Sequence, residues 1–426
     1  MKNTQKILIA TVLGLSFSLL ALGQVSFVPK KILTTNPNSL TAINNTSQVM
    51  ANQGTLASDE ISLWNRFVGF EGIGLNVANS GGVAIDSASD IVGAGNPDGS
   101  GIPQAFLWRS GTGVEWLGSL GGKLSEANGM NDDGAVVGLS YTSSYMQHAF
   151  LWTQSGGMQD LTPDVTSIGG AAATGINATN EVVGYYFPNG TRLPIGFSWT
   201  QAGGLENIGP AGTLALAVND SGMVVGQSPN AQGFKHAFSY TTGGGMKDLG
   251  TLGGTASSAL AVNNLGWVVG TSLTSGKTGL LHAFLWTPSG GMQDFTGLAG
   301  LGSSQQPYSI QVNDFGVVAL STNKGLFVLT PKMAVTLTPS ANPSKVGQSV
   351  TFTAKITSIA GPPPDGEALQ FLASGVVIGT ATVKNGVASV TTSALTAGSH
   401  PMQVNYAGDD NYLADKYRLF TQVVNP

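Results

Sequence analysis

Three observations predict an all-β protein, in which a domain of repeated strands is followed by a smaller β-sandwich. Glycine supplies 60 of the 426 residues and only 10% of the residues are charged, a composition that favours short strands and tight turns over long helices. A short motif recurs at intervals of 42 to 50 residues through most of the chain. The pattern changes after about residue 331, which indicates a second module.

The first 23 residues are expected to be a secretory signal peptide. Two lysines precede an apolar run over residues 7–22, and small residues provide a cleavage site before Gln24. A permanent membrane anchor is the alternative, although the run is short for a span. Residues 24–58 are rich in Asn, Ser and Thr and are expected to form a mobile linker.

Composition disfavours several classes of protein. A net charge of −5 without a basic run makes nucleic acid a poor candidate partner. The absence of cysteine excludes disulfides and thiolate metal sites. No second apolar run is long enough to span a membrane, so none is expected after signal cleavage. Motifs for zinc, calcium, phosphate loops or a serine nucleophile are missing, so we expect no metal and no cofactor.

Two motifs mark each repeat. The first begins a turn at Asp86, Asn131, Asn177, Asn219, Asn263 and Asn313 in successive copies. The turn usually ends in Gly, which supplies the positive φ that such turns need, so Ser89 at this position predicts a different loop in the first copy. The second motif is an aromatic box, such as residues 149–152 and 283–286.

Each repeat contains four strand candidates, which in the fourth copy are residues 214–218, 223–227, 236–241 and 246–249. Four strands in about 45 residues match the blade of a β-propeller. Both faces of the aromatic box are apolar, so both need cover, and blades stacked in a ring provide it. We therefore expect a propeller over residues 59–331.

The two ends of the repeat domain predict how the ring closes. Partial units at 61–73 and 308–330 are expected to combine into one composite blade. The ring then has six blades, or seven if the stretch 61–80 is a blade of its own.

A His-Ala-Phe triplet opens the aromatic box in three copies, at residues 148–150, 236–238 and 282–284. Each triplet is followed by Gly-Met-x-Asp, at residues 157–160, 245–248 and 291–294. With these motifs the repeats resemble the extracellular HAF-type repeats of bacteria. The resemblance implies an exported repeat protein and transfers no catalytic residue.

Residues 332–426 form the second module. Alternating residues at 351–356 and 387–391 and intervening turn signals fit a β-sandwich. The stretches 335–339, 347–353 and 406–412 resemble a bacterial Ig-like module of the kind repeated on cell-surface proteins. The resemblance implies a bacterial protein that is secreted or held at the cell surface.

The repeated polar residues are expected to serve the scaffold. His148, His236 and His282 share one repeat position, which spaces them around a rim instead of gathering them at a metal ion. The repeated aspartates are expected to cap backbone groups, and they are Asp132, Asp220, Asp314, Asp160, Asp248 and Asp294. A ring of carboxylates that binds cations or sugar hydroxyls is the alternative.

These patterns favour an exported, non-catalytic binding or adhesion protein of the cell surface or extracellular matrix, with a carbohydrate or protein ligand. Aromatic rings that depart from the repeat pattern could stack on a sugar, and they are Trp116, Tyr185, Tyr186 and Trp267. Packing between blades is the alternative role for these rings.

A propeller-type carbohydrate-active hydrolase or lyase is the alternative function. A glycosidase needs two carboxylates about 5–9 Å apart. The candidates are the acids outside the repeat pattern, namely Glu71, Asp98, Glu126, Asp133 and Asp164.

Overall fold

The computed structural model describes residues 27–33, 40–55, 58–75, 80–165, 169–275, 279–302 and 304–426. The predicted signal peptide lies outside these residues. Nearly all regular structure in the described part of the chain is β-strand, and its one helix is the single turn α1 (Phe295–Leu298). The all-β prediction is confirmed.

Seven four-stranded antiparallel sheets occupy the described residues up to Pro331. The first strand, β1 (Phe27–Leu33), belongs to the last sheet. Sheet I contains β2 (Leu40–Ile43), β3 (Val49–Thr55), β4 (Ser58–Asn65) and β5 (Gly69–Gly72). Sheet II contains β6 (Gly81–Ile85), β7 (Ile91–Gly95), β8 (Gln104–Arg109) and β9 (Gly113–Trp116). Sheet III contains β10 (Gly121–Met130), β11 (Val136–Thr142), β12 (Gln147–Thr153) and β13 (Gly157–Asp160).

The remaining sheets continue the same pattern. Sheet IV contains β14 (Ala171–Ile176), β15 (Val182–Tyr186), β16 (Ile195–Thr200) and β17 (Gly204–Ile208). Sheet V contains β18 (Leu214–Val218), β19 (Val224–Pro229), β20 (Lys235–Thr241) and β21 (Gly245–Gly250). Sheet VI contains β22 (Gly253–Val262), β23 (Val268–Thr274), β24 (Leu281–Thr287) and β25 (Gly291–Asp294). Sheet VII contains β26 (Pro307–Val312), β27 (Val318–Thr322), β28 (Gly325–Pro331) and β1.

The sheets are arranged in a propeller-like ring. The first strand of each sheet contacts the first strand of the next, from β2 through β6, β10, β14, β18 and β22 to β26, and β26 in turn contacts β2. Sheets I to VI are meanders in which neighbouring strands pair in chain order, and sheet VII combines the meander β26–β28 with β1. The four strands of sheet V agree with the sequence prediction to within two residues.

A glycine on the second strand faces a buried phenylalanine on the third strand in five sheets. The pairs are Gly93–Phe106, Gly138–Phe150, Gly184–Phe197, Gly226–Phe238 and Gly270–Phe284. A Cβ atom at Gly226 would lie 1.9 Å from the carbonyl oxygen of Leu214. Glycine therefore allows the first strand to approach closely, while the aromatic ring covers the space beside it.

The turn after the first strand has one conformation throughout the ring. Gly134, Gly222, Gly266 and Gly316 have φ of +76°, +75°, +72° and +72° at its last position. Asn180, Ser89 and Ser47 take the same left-handed region with φ of +60°, +70° and +54°. The prediction of a different loop at Ser89 is wrong, because a small polar residue adopts this conformation at modest cost.

The predicted linker and the predicted ring closure are both wrong. The range 24–58 contains β1, β2 and β3, and its turn carries Ser47 where most repeats carry Gly, which disguised the repeat. β4 and β5 pair within sheet I, so residues 61–73 do not complete the last sheet. That role belongs to β1, which pairs antiparallel with β28 from Phe27–Pro331 to Lys31–Phe327 and on to Leu33.

The C-terminal module is a sandwich of two sheets, as predicted. One sheet contains β29 (Met333–Pro339), β31 (Val350–Ser358) and β34 (Val387–Thr392). The other contains β30 (Ser344–Lys345), β36 (Asp415–Asn425), β35 (Gly398–Tyr406), β32 (Ala368–Ala373) and β33 (Val376–Thr382). Alternate residues of the two sheets, such as Phe352, Phe371 and Val404, fill the core between them.

Candidate functional site

The ring has two distinct faces. The turns between first and second strands lie at one end of every sheet, as do the turns between third and fourth strands in sheets I to VI, and we call this end the turn face. The opposite end carries the second-to-third loops and the connections between sheets, and we call it the loop face. Each first strand therefore runs towards the turn face.

A cavity of about 260 Å³ lies where the seven first turns converge at the turn face. The residue before each turn lines it with an aliphatic side chain: Ile43, Ile85, Met130, Ile176, Val218, Val262 and Val312. The second turn residue forms its outer rim: Asn45, Ser87, Asp132, Ala178, Asp220, Asn264 and Asp314. The cavity thus combines apolar walls with a polar rim that carries three carboxylates.

A ring of amide side chains joins neighbouring sheets, and it lies between the aliphatic wall and the polar rim of the cavity. The Nδ2 atom of Asn131 donates to the carbonyl oxygen of Asn177 over 3.0 Å, and the same bond recurs around the ring. It runs from Asn177 to Asn219, Asn219 to Asn263, Asn263 to Asn313, Asn313 to Asn44 and Asn44 to Asp86, at 2.8–3.1 Å. The Oδ1 atom of each asparagine accepts backbone N–H groups of its own turn. Asparagine suits this position because one planar group both donates and accepts.

Asp86 occupies the seventh position of the amide ring. Its Oδ1 accepts from the N–H groups of Ala88 and Asp90 at 2.9 and 2.8 Å, as the asparagines do. As a carboxylate it has no proton to donate to the carbonyl group of Asn131. Burial raises the pKa of Asp86 to about 6; the carboxylates of Asp90 and Asp132 add to this rise, and the two backbone N–H groups oppose it.

The rim carboxylates cap the backbone of the preceding sheet. Asp132 accepts from the N–H and Oγ groups of Ser87, each at 2.9 Å. Asp220 accepts from the N–H of Ala178 at 2.9 Å and Asp314 from the N–H of Asn264 at 2.7 Å. The prediction that these aspartates cap backbone groups is confirmed, and the capped groups lie on a neighbouring sheet. In the part of the chain that the structure describes, no group of three or more His, Asp or Glu side chains is arranged to hold a metal ion.

The three repeated histidines each pair with the repeated aspartate of their own sheet, at the loop face. The Nδ1–Oδ2 distances are 2.7 Å for His148–Asp160, 2.9 Å for His236–Asp248 and 2.8 Å for His282–Asp294. The same aspartates cap backbone N–H groups of Thr162, Gly250 and Gly297. Sequence reasoning missed these pairs, although the constant spacing of twelve residues between His and Asp was visible.

The four aromatic candidates do not share a site, and none lines the axial cavity. Trp267 is only 4% exposed and packs in the core around sheets VI and VII, so its candidacy as a sugar-stacking surface is wrong. Trp116 is half-buried, with its ring edge against Phe106 at 6.1 Å. Tyr185 packs edge-on against Phe187, and the hydroxyl of Tyr186 donates to Asn207.

The acids proposed for catalysis are also dispersed. Asp98 lies in a second-to-third loop, where hydrogen bonds from Ser100 lower the pKa of its carboxyl. Asp133 lies in a first turn at the other face, and Glu71 is exposed on the last strand of sheet I. Glu126 lies on β10 and Asp164 in the connection after sheet III. These positions spread over both faces instead of converging.

Exposed apolar side chains lie on the loop face of five consecutive sheets. Tyr145 of sheet III is 76% exposed, Leu193 of sheet IV 54% and Phe234 of sheet V 49%. Sheet VI contributes Leu280 and Leu281, and sheet VII contributes Tyr308. The sequence motifs did not predict this arc, because these residues lie outside the repeated positions.

A family model matches the C-terminal module. Residues 337–425 match the model of the bacterial Ig-like domain (group 3), a domain typical of extracellular proteins, so the C-terminal module belongs to that family. No curated protein matches the chain. No helix among the described residues has the length and apolar character needed to cross a membrane.

Solved structures of low sequence identity are similar to the chain. A streptogramin B lyase is 13% identical with a TM-score of 0.45, covering 71% of this chain and 97% of its own. TolB from Acinetobacter baumannii is 10% identical with a TM-score of 0.38, covering 66% and 78%. The acylaminoacyl peptidase of Pyrococcus horikoshii is 12% identical with a TM-score of 0.44, covering 77% and 59%. Similarity at this level carries no argument about activity, substrate or partner.

Proposed function

We propose that this chain is an exported, non-catalytic binding protein of the bacterial cell surface or extracellular matrix. Its repeats are of the HAF type, its seven sheets are the blades of one propeller, and its loop face binds another protein. The observation that carries this proposal is the arc of exposed apolar side chains on five consecutive sheets. Exposed apolar side chains that recur at one face of neighbouring sheets mark a candidate interaction surface.

The position of the Ig-like domain supports the choice of face. This domain contacts the turn face, through Ser47 and Asn313 among others. The loop face therefore lies opposite the domain and is open to a partner.

The chemistry of the exposed apolar side chains on the loop face favours a protein partner. Leu193, Leu280 and Leu281 are aliphatic, whereas sugar sites rely on flat aromatic rings and converging polar groups. An arc across five sheets is also wider than a small ligand requires. Tyr145 and Phe234 are the type of residue that anchors protein interfaces.

The polar groups support binding without catalysis. The carboxylates at the cavity rim accept backbone hydrogen bonds from neighbouring sheets, and those at the loop face pair with histidines. The acids outside the repeats do not converge, although a glycosidase needs two carboxylates about 5–9 Å apart. If replacing any of Glu71, Asp98, Glu126, Asp133 or Asp164 by Ala abolished a measurable glycan-cleaving activity, the hydrolase or lyase reading would replace this proposal.

Replacing Phe234 by Ser is expected to weaken partner binding at least tenfold, because a partly buried aromatic anchor at an interface contributes about 2 kcal/mol or more. The probe is a displayed library of random peptides, selected on the immobilised mature chain, and dissociation constants are measured for the enriched peptides. Phe67→Ser is the matched control, since Phe67 is 70% exposed at the turn face.

The Phe67→Ser control distinguishes binding at the loop face from binding at the turn face. We expect Phe234→Ser and Tyr145→Ser to lose affinity for the enriched peptides while Phe67→Ser keeps it. Equal losses in all three variants, or no loss in any, would place binding elsewhere. Enrichment of no peptide, together with retention on a glycan array, would make carbohydrate the ligand.

Export is expected to remove the first 23 residues. N-terminal sequencing of the protein recovered from the culture medium or cell surface should therefore begin at Gln24. Mature protein that retains Met1 and stays in the membrane fraction would show an uncleaved anchor instead.

A further inference from the structure

The ring closes by strand pairing between distant parts of the chain. β1, near the N-terminus, completes sheet VII by pairing with β28, about 300 residues later. The seam between sheets VII and I lies beside this closure. The Ig-like domain follows β28 directly and contacts the ring at this seam.

Arg66 of sheet I bridges the two domains. Its Nη1 donates to the carbonyl oxygen of Asp409 in the Ig-like domain, and its Nη2 donates to Oγ1 of Thr330 on β28, each at 2.9 Å. Burial lowers the pKa of Arg66, while the carboxylates of Asp409 and Asp410 oppose that change. One guanidinium group therefore joins sheet I, sheet VII and the Ig-like domain.

Asn411 of the Ig-like domain enters the amide ring. Its Nδ2 donates to the carbonyl oxygen of Asn45 at 2.9 Å, and its Oδ1 accepts from Oγ of Ser47 at 2.6 Å and from Nδ2 of Asn313 at 3.1 Å. Asn411, Ser47 and Asn313 are each less than 9% exposed. Removing Asn411 would break three hydrogen bonds that join the Ig-like domain to sheets I and VII at largely buried groups, which is costly.

Apolar contacts extend the same interface. The ring of Phe315, in the first turn of sheet VII, meets the edge of Tyr412 at 6.3 Å, and Phe315 packs against the core of the Ig-like domain. Ala360 of that domain belongs to the same buried core cluster as Trp267 of sheet VI, and both side chains lie next to Gly316 of sheet VII. The domain thus contacts three consecutive sheets at the closure.

We propose that the Ig-like domain is a clasp, which docks across the seam between sheets VII and I and holds the propeller ring closed. Its docked state keeps β1 paired with β28 and keeps the first turns of the two sheets in register. This role goes beyond the proposed binding function and does not depend on the identity of any ligand.

Loss of the clasp contacts should loosen the closure before the rest of the ring. The test compares amide hydrogen exchange of the full mature chain with that of Asn411→Ala and Arg66→Lys. Arg66→Lys keeps the charge but loses the two-pronged contact. We expect exchange to quicken at least tenfold in residues 27–33 and 44–48 and to stay unchanged in residues 171–186 on the opposite side of the ring. Arg192→Lys on the loop face is the control and should change neither region.

Two results would overturn the clasp. One is exchange that rises equally in residues 27–33 and 171–186, which indicates general destabilisation. The other is no change at the closure in either variant. If Asn411→Ala fails to fold, the milder Arg66→Lys variant still decides between these outcomes.

Discussion

Replacing Asp86 by Asn is expected to stabilise the protein near neutral pH by roughly 2 to 4 kcal/mol. The amide would supply the donor that the carboxylate lacks at this one position of the ring, as Asn131 and Asn177 do at theirs. It would also remove a carboxylate that is 5% exposed and lies near Asp90 and Asp132. The measurement is the free energy of unfolding by denaturant at pH 8 and at pH 4.

The pH dependence follows from the raised pKa of Asp86. Because the folded-state pKa of about 6 exceeds the ordinary aspartate pKa of 3.8, the folded protein holds this proton more tightly than the unfolded chain. The stability from this group is therefore complete below about pH 4 and is lost as the pH rises to about 6. The gain from Asp86→Asn should shrink as the pH falls from 8 to 4.

The reciprocal substitution is the matched control. Asn177→Asp places a carboxylate at an equivalent position and should destabilise the protein, more at pH 8 than at pH 4. A gain from Asp86→Asn that is the same at both pH values, or a loss at pH 8, would contradict the account of the amide ring.

Replacing Gly226 by Ala is expected to destabilise the protein by roughly 3 to 5 kcal/mol, or to prevent folding. The new Cβ would lie 1.9 Å from the carbonyl oxygen of Leu214 and 3.1 Å from the ring of Phe238. The first strand of sheet V would have to move away, which would disturb its contacts with both neighbouring sheets. Thermal and denaturant unfolding of the full chain measure the effect.

Gly243→Ala separates this steric effect from the loss of a glycine as such. A Cβ atom at Gly243 meets nothing within 4 Å, and its φ is not in the left-handed region. The control variant should unfold within about 0.5 kcal/mol of the parent. If Gly226→Ala and Gly243→Ala were equally stable, the close approach of Leu214 on the first strand to Gly226 on the second would not be required for stability.

The repeat motifs predicted most of the fold, because each motif has a local structural cause. The alternating aromatic box predicted the third strand, and the Asn-to-Gly turn predicted where the first strand ends. Sheet I was not predicted because Ser47 replaces the glycine of its turn, and the closure of sheet VII was not predicted because β1 pairs with a strand at the far end of the repeats. Because the two strands are about 300 residues apart, no motif within β1 indicates that its partner is β28.

The site was less predictable for a physical reason. The sequence predicts that Asn131 and its equivalents form turns, and the structure agrees. Their Nδ2 atoms also donate hydrogen bonds to the next sheet. Such a bond depends on how sheets stack, which a motif within one sheet does not encode. Exposed apolar residues such as Tyr145 and Phe234 lie in loops without a repeated pattern, and their exposure on one face follows only from the assembled ring.

The most direct test of the proposed binding surface is a hydrogen-exchange footprint of the mature chain bound to a peptide enriched on it. We expect slower exchange in residues 143–146 and 230–234 of the loop face, with no change in the turn-face residues 66–68 and 219–222. Protection confined to the turn face or to the Ig-like domain would contradict the assignment of the loop face as the binding surface.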